Sequence, residues 1–378
     1  MPDNNFFYIS TNVSWGGSEF LWYESAKKLH DSQNNIFVYV YKYQHPTIEQ
    51  LKKELKPNQV FNSKRLPALK FYKRWINKIF KIYNQKDTLK VKLKAFKPDL
   101  VVISKGNAIG DEEIPLLVKE LGFKYIILNH LVTESSWPVI TPNSRNKLIE
   151  GIEGALKNFY VSKRNKLLFE KMIAKNISNS KVTFNPLLNI SSTEIAYPTT
   201  ENGFSVAIVG RLECFHKGID IFFDVIKQDK WQKRPIKFNL YGEGPHKEIM
   251  LGWIDQYNIQ NIEFHGYVTD KTEIWCENHI LLLPSRMEGQ SISLSEALML
   301  KRTVIGTNVG GISEYIKDNE TGFIAENANT KDLDNAMERA WIQREEWQIY
   351  GEKANHNWRN NTPKNPVSNF NQQLINLL

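Results

Sequence analysis

The sequence predicts an α/β protein of two Rossmann-like, doubly wound domains that face each other across a central cleft. Its 378 residues exceed what one hydrophobic core usually organises. Short apolar runs alternate with longer segments of helical periodicity, which is typical of parallel strands joined by helical crossovers. A polar stretch at residues 191–203, with Pro198 inside it, separates two such series and predicts a linker.

The apolar runs are continuous, so we expect strands that are covered on both faces. In the first domain, residues 1–195, the predicted strands are 6–10, 36–41, 99–103, 124–128 and 158–162. In the second domain, residues 203–360, they are 205–209, 237–241, 261–264, 280–283 and 303–306. Apolar residues at helical spacing near the end of the chain predict a helix at about 364–378 that packs back onto the first domain.

Composition favours a cytoplasmic protein. The N-terminal residues show no basic stretch leading into an apolar run, and no uninterrupted apolar run approaches the ~20 residues of a membrane-spanning helix. Cys214 and Cys276 are the only cysteines, too few for a disulfide framework or a cysteine metal cluster.

The positive charge is concentrated in residues 64–97, which hold 12 Lys or Arg and one acid, Asp87, in a chain of formal net charge +8. Within this segment, residues 69–83 predict a basic amphipathic helix. One candidate partner is an anionic membrane surface, which would place the protein at the inner face of the membrane. The alternative is packing onto the first domain; no recognition motif points to nucleic acid.

The most informative segment is residues 283–314. A buried strand ends at Pro284, and a helix is expected to begin near Ser291. The backbone of Gly289, Gln290 and Ser291 therefore predicts an anion site. Glu296 lies about one turn into that helix, where a carboxylate can accept hydrogen bonds from a vicinal diol such as a ribose.

Glu288 precedes that loop and could meet sugar hydroxyls. The alternative for Glu288 and Glu296 is that both are solvated charges.

Two cations follow the first strand of the second domain. Arg211 comes directly after Gly210, and Lys217 follows a short loop, so both could neutralise a diphosphate at the strand end. The alternative is a pair of surface cations. Gly210 ends the first strand of this domain, and Gly242 and Gly266 come after the next two strands. All three are candidate donor-binding residues, because glycine lets the backbone approach a ligand or turn tightly.

Two features of the first half are candidates for the same site. Gly16 and Gly17 follow the first strand and open a helix, so their amides could meet a phosphate or an acceptor; the alternative is an ordinary helix start capped by Ser18. His130 ends another predicted strand, and its alternative is a structural role.

The pattern Pro-Ser-x-x-Glu-Gly-x6-Glu-Ala at 284–297, followed by Gly310-Gly311-x-x-Glu314, closely resembles the nucleotide-sugar motif of glycosyltransferase family 4, the glycosyl transferases group 1. That family comprises retaining enzymes of the GT-B fold. The resemblance implies that Glu288 contacts the donor sugar, that the intervening amides hold sugar and phosphate, and that Glu296 binds the ribose. It also implies phosphate-binding roles for Arg211 and Lys217 and a donor-sugar contact for His130.

The function implied is retaining transfer of a sugar from a UDP- or GDP-sugar to a glycan or lipid-linked acceptor, in the synthesis of cell-surface polysaccharide or glycoconjugate. No cofactor and no metal are expected, since no Asp-x-Asp sequence occurs where a metal-dependent transferase would use one. Two alternatives remain: another enzyme of this architecture, such as an epimerase or hydrolase, and a non-catalytic nucleotide- or glycan-binding protein. A dehydrogenase is disfavoured because no G-x-G-x-x-G turn follows the first strand.

Overall fold

The protein divides into two compact α/β units in a computed structural model that describes residues 4–12, 15–41, 45–55, 59–63, 85–192 and 194–378. The first unit comprises residues 1–186 and 365–378, and the second comprises residues 187–364. Each is organised around a parallel sheet, which confirms the predicted α/β class.

The first unit contains seven parallel strands in its described residues, in the order β3-β2-β1-β4-β5-β6-β7. Their bounds are β1 Asn5–Ser10, β2 Asn35–Tyr41, β3 Val60–Ser63, β4 Leu100–Lys105, β5 Tyr125–Asn129, β6 Lys157–Tyr160 and β7 Ser180–Val182. The connecting helices include α1 Phe20–Asp31, α2 Pro46–Glu54, α3 Gln85–Phe96, α4 Glu113–Glu120, α5 Pro142–Gly154 and α6 Lys163–Ile173.

Successive residues of these strands enter two different hydrophobic clusters. Phe7 and Ile9 of β1 pack on one face of the sheet, and Phe6 and Tyr8 pack on the other. Since side chains alternate along a strand, both faces are covered, and this explains the continuous apolar runs in the sequence.

The second unit has a six-stranded parallel sheet in the order β10-β9-β8-β11-β12-β13. Its strands are β8 Phe204–Val209, β9 Ile236–Tyr241, β10 Ile262–Gly266, β11 Ile280–Leu283, β12 Thr303–Thr307 and β13 Phe323–Ala325. Its helices include α7 Cys214–Lys217, α8 Ile219–Ile226, α9 Asp229–Gln232, α10 Lys247–Tyr257, α11 Lys271–Glu277, α12 Ile292–Met299, α13 Ile312–Tyr315, α14 Thr330–Ile342 and α15 Trp347–Asn361.

The last helix, α16 Pro366–Ile375, belongs to the first unit. Phe370 and Leu374 are completely buried in the cluster that covers one face of the first sheet, and the ring of Phe370 lies 5.1 Å from that of Phe159. The Asn371 side chain accepts a hydrogen bond from the Ser25 hydroxyl of α1.

The boundary between the units falls after Pro186, before the polar stretch at 191–203. Part of that stretch packs on the second unit: the Ala196 carbonyl accepts from Arg302, and the Tyr197 hydroxyl donates to the His279 carbonyl. The amphipathic helix predicted for residues 69–83 lies outside the described residues. Across the described part of the chain, no helix is long and apolar enough to cross a membrane.

Strand order in each sheet reverses next to its first strand, between β1 and β4 and between β8 and β11. At such a point the loops leave neighbouring strands in opposite directions and open a crevice at their carboxyl ends. This topology determines where a ligand site is expected in each unit.

Candidate functional site

In the second unit, the reversal of strand order brings together the loops that follow β8 and β11. The segment after β8 carries Arg211 in its loop and Lys217 at the end of the short helix α7, and the loop after β11 carries Glu288. Three of the four charged residues predicted in this unit therefore lie at the carboxyl edge of adjacent strands.

Lys217 and Glu288 are in direct contact. The Lys217 ammonium donates a hydrogen bond of 2.6 Å to Oε1 of Glu288, and the hydroxyl of buried Ser285 donates to the same oxygen at 2.9 Å. The Glu288 side chain is 8% exposed. A solvated loop charge is thus excluded for Glu288, because two donors hold its carboxylate in a nearly dry position.

Arg211 differs from Lys217 in its surroundings. Its side chain is exposed, and no hydrogen bond or ion pair within the described residues engages it. A guanidinium in this state can bind an incoming anion without first breaking an internal contact.

Glycines allow the loops of this edge to approach one another. Gly242, after β9, has φ +133, and a Cβ there would lie 2.0 Å from the Gly210 carbonyl oxygen. The Gly242 amide in turn donates to the Gly266 carbonyl at 2.7 Å. Gly210, Gly242 and Gly266 therefore belong to one continuous layer of backbone.

A second close approach supports the loop after β11. Gly310 has φ +53, and a Cβ there would lie 2.3 Å from the Glu288 carbonyl oxygen. The Gly311 amide donates to the Gly289 carbonyl at 2.8 Å. The Gly310-Gly311 pair of the sequence motif thus packs against and hydrogen-bonds the loop that carries Glu288.

Helix α12 begins where the sequence predicts. Ser291 is its N-cap and accepts, through its hydroxyl, from the Leu294 amide. Ser291 and the preceding Gln290 are both buried. The free amides of the first turn, together with the helix dipole, make this end attractive to an anion.

Glu296 lies inside α12 and is 3% exposed. Its Oε2 atom has no hydrogen-bond partner in the described residues. Burial raises the pKa of Glu296 to about 7, and the nearby Lys271 opposes that shift. A buried carboxylate with an unpaired oxygen suits a ligand that brings its own hydroxyl donors.

Lys271 and Tyr267 were not identified from the sequence. The Lys271 ammonium lies 4.3 Å from the centroid of the Tyr267 ring and also donates to the Val268 carbonyl. Burial lowers the pKa of Lys271, while Glu296 opposes that shift. Both residues follow the Gly266 turn closely, which was the only signal in the sequence that could have singled them out.

In the first unit, His130 directly follows β5 and is 4% exposed. Its Nε2 lies 3.2 Å from the Ser104 hydroxyl, and its Nδ1 has no partner in the described residues. Burial lowers the pKa of His130 to about 3, so the ring is neutral at physiological pH.

Gly16 and Gly17 open the segment between β1 and α1. A short 3-10 turn, Gly17–Glu19, precedes α1, and Ser18 does not cap either element. The capping role considered for Ser18 is therefore wrong: its hydroxyl accepts a hydrogen bond from the side-chain amide of Asn12 instead. No local pattern indicated that Glu19 is fully buried, where it accepts from Ser10 and Trp22.

No group of three or more His, Cys, Asp or Glu in the described part of the chain is arranged to hold a metal ion.

The fold and this site together define a doubly wound α/β protein with a charged, glycine-lined sheet edge in its second unit. Residues 203–342 match the family model described as Glycosyl transferases group 1. The resemblance to that family is confirmed over these residues.

Comparison with known proteins gives the following likenesses. The chain is 31% identical over 119 residues to poly(ribitol-phosphate) alpha-N-acetylglucosaminyltransferase of Staphylococcus aureus, covering 31% of this chain and 24% of that protein. The aligned stretches span between 24% and 44% of the first three curated relatives' own lengths.

Two solved structures agree over nearly the whole chain. HepE of Anabaena in complex with UDP has a TM-score of 0.72 at 14% identity, covering 98% of each chain. A glycosyltransferase from Rickettsia africae has a TM-score of 0.75 at 17% identity, covering 99% of this chain and 98% of its own. Because the sequence identity is so low, these structural likenesses establish the GT-B fold and nothing further.

Proposed function

We propose that this protein is a glycosyltransferase that takes a sugar from a nucleotide-diphosphate-sugar donor and passes it to a glycan or lipid-linked acceptor. The observation that carries the proposal is the Lys217–Glu288 pair, set 2.6 Å apart at the switch point of the second sheet and beside the start of α12. In a nucleotide-diphosphate sugar the diphosphate is bonded directly to the sugar. The Lys217 cation could bind the diphosphate while the adjacent buried carboxylate of Glu288 binds the sugar.

The donor would extend along the carboxyl edge of the second sheet. Its diphosphate would meet Arg211, Lys217 and the amides of Gly289, Gln290 and Ser291. Its ribose diol would donate to the unpaired oxygen of Glu296. Its sugar would contact Glu288.

The chemistry we propose is transfer with retention. The bond between the anomeric carbon and the diphosphate oxygen breaks. The acceptor oxygen forms the new bond to the anomeric carbon on the same face of the sugar, and the acceptor's hydroxyl proton passes to the departing diphosphate oxygen. Negative charge grows on the departing diphosphate, where Arg211 and Lys217 stabilise it electrostatically without a metal ion. Because Glu288 already holds Lys217 at the strand end, that cation needs little reorganisation as the charge develops.

For the donor we favour a UDP-sugar over a GDP-sugar, since HepE, which shares the fold, is described in complex with UDP. For the acceptor we favour a polymer or lipid-linked glycan of the cell surface, since the matched S. aureus transferase acts on poly(ribitol-phosphate). The setting we propose is the cytoplasmic face of the membrane, with residues 64–97 as the docking segment; residues 64–84 lie outside the described part of the chain.

The test has two stages. First, thermal unfolding is measured with UDP-, GDP- and ADP-sugars, and a true donor at 100 times its Kd stabilises the protein by ~2.7 kcal/mol. Second, sugar transfer to added acceptors is assayed in EDTA, and the anomeric configuration of the product is determined.

We expect stabilisation by a UDP-sugar and transfer with retention that survives EDTA. Donor consumption without transfer would indicate an epimerase or hydrolase, and binding without consumption would indicate a binding protein. Activity lost in EDTA and restored by magnesium or manganese would overturn the metal-independent mechanism.

A further inference from the structure

The segment that carries Lys217 contacts the loop that carries Glu288 on both sides of Lys217. The amides of Arg286 and Met287 both donate to the His216 carbonyl, at 2.8 and 3.2 Å. Gly218 has φ +60, and a Cβ there would lie 2.0 Å from the Pro284 carbonyl oxygen. Both sequence neighbours of Lys217, His216 and Gly218, thus contact the loop that carries Glu288.

Arg286 adds a charged contact that encloses this junction. Its two terminal nitrogens donate to the two carboxylate oxygens of Asp220 at 2.7 and 2.6 Å, and one of them also donates to the Cys214 carbonyl at 2.8 Å. Cys214 lies at the start of α7 and Asp220 in the first turn of α8. The Arg286 guanidinium therefore bonds the chain both before Lys217, at Cys214, and after it, at Asp220.

We infer that Arg286 and Asp220 form a positioning pair that sets the distance between Lys217 and Glu288. The inference rests on the proposed function, because that distance matters only if one ligand must meet both residues. Neither residue needs to touch the donor.

The chemistry of the pair favours positioning over general stability. The side chains are 32% and 34% exposed, so solvent screens their attraction and an isolated pair of this kind contributes little to folding. Bidentate geometry, in contrast, fixes direction as well as distance, and a lysine ammonium cannot reproduce it. Misplacing a reacting group by about 1 Å can cost on the order of a hundredfold in rate.

The experiment uses Arg286→Lys, Asp220→Asn and the double variant in the full-length protein. The matched control is Arg339→Lys: Arg339 also donates to one carboxylate, Asp318, and to one backbone carbonyl, Ile324, in the same unit but beside β13. Its pair with Asp318 is 35% and 41% exposed. Thermal unfolding, steady-state kinetics of transfer and UDP affinity are measured for all four variants.

We expect Arg286→Lys and Asp220→Asn each to lower kcat by about tenfold to a hundredfold, with a change in donor KM of only a few-fold. The double variant should be no worse than the more impaired single variant, since the pair is already broken. All variants should unfold within a few degrees of Arg339→Lys, which itself keeps its kcat.

Two results would overturn the inference: wild-type kcat in Arg286→Lys, or losses that multiply in the double variant. If the unmodified protein transfers no sugar, the proposed function fails, and UDP affinity then decides the inference separately. A weakening of a few-fold in Arg286→Lys and Asp220→Asn, absent in Arg339→Lys, supports the positioning pair; equal affinity in all variants refutes it.

Discussion

At the scale of single residues, the charged groups of the second unit differ in whether they already have partners. Lys217 and Glu288 neutralise each other, Arg211 is exposed, and Glu296 is buried with one oxygen unpaired in the described part of the chain. Residue type and spacing predicted these four positions. Residue type and spacing could not predict which of these side chains are paired or buried, because that depends on how the segments after separate strands meet.

The different settings of Arg211 and Glu296 predict different kinetic defects. Arg211→Ala should lower kcat more than it weakens donor binding, because its charge is needed most as the diphosphate departs. Glu296→Ala should mainly raise the donor KM, by about one to two powers of ten, since losing a charged partner of a buried diol costs ~1.5 to 3 kcal/mol.

Steady-state kinetics with a UDP-sugar, together with circular dichroism to verify folding, measure both effects. A Glu296→Ala variant with the original donor KM would contradict the ribose assignment.

The raised pKa of Glu296 predicts opposite pH trends for stability and for donor binding. The ligand-free folded state keeps the proton up to about pH 7, whereas the unfolded chain releases it near its ordinary pKa of 4.5. The contribution of this group to the free energy of unfolding therefore falls as pH rises from about 4.5 to about 7. Donor binding, which needs the carboxylate as acceptor, should strengthen through the upper part of the same range.

Chemical unfolding and donor KM, each measured from about pH 5.5 to about pH 8, check the two trends on both sides of the folded-state pKa. Glu296→Gln is the control and should flatten this component of both profiles. A donor KM that stays constant across the range would show that Glu296 is already ionised at its acidic end.

At the scale of elements, strands buried on both faces could be predicted from the sequence, and short edge strands could not. All ten predicted runs coincide with strands in the described residues, to within two residues at each end. The predictions missed β3, β7 and β13, which have three or four residues and lie at the edges of their sheets. An edge strand is covered less completely and therefore needs no long apolar run.

The close packing of glycine backbone at the strand ends predicts that a side chain at Gly242 is not tolerated. Gly242→Ala should lower the free energy of unfolding by at least ~1 kcal/mol, since it combines a positive φ with a methyl group placed 2.0 Å from the Gly210 oxygen. Gly252, in the exposed middle of α10, offers a contrast, because a methyl group added there would meet nothing within 4 Å.

Gly252→Ala should therefore raise stability by up to ~1 kcal/mol. Denaturant unfolding of both variants measures the difference. Equal stabilities would mean that the backbone at Gly242 can relax enough to accommodate a side chain.

At the scale of the whole molecule, the first unit is assembled from both ends of the chain. Apolar spacing around Phe370 and Leu374 was enough to predict a terminal helix. The hydrogen bond that joins Asn371 to Ser25 could not be predicted, because these residues are 346 positions apart. Such contacts depend on the complete fold and leave no local pattern.

The buried side of α16 predicts a large effect from one substitution. Phe370→Ala should destabilise the first unit by ~3 to 5 kcal/mol, because its ring is completely buried. Ile375→Ala, on the same helix but 39% exposed, should change stability by less than ~0.5 kcal/mol. Hydrogen exchange in peptides from α1 and α16 reports the change, and unaltered protection in Phe370→Ala would contradict the packing.

Because α16 completes the first unit, order of synthesis and order of folding cannot coincide in this protein. When the ribosome has made residues 1–186, the apolar surface that receives Phe370 and Leu374 is still uncovered, and it stays so while residues 187–364 emerge. The second unit, being continuous in sequence, can fold first. In a nascent chain, the exposed apolar surface of the first unit would thus persist until α16 has been synthesised. We therefore expect chaperones to bind the first unit during translation.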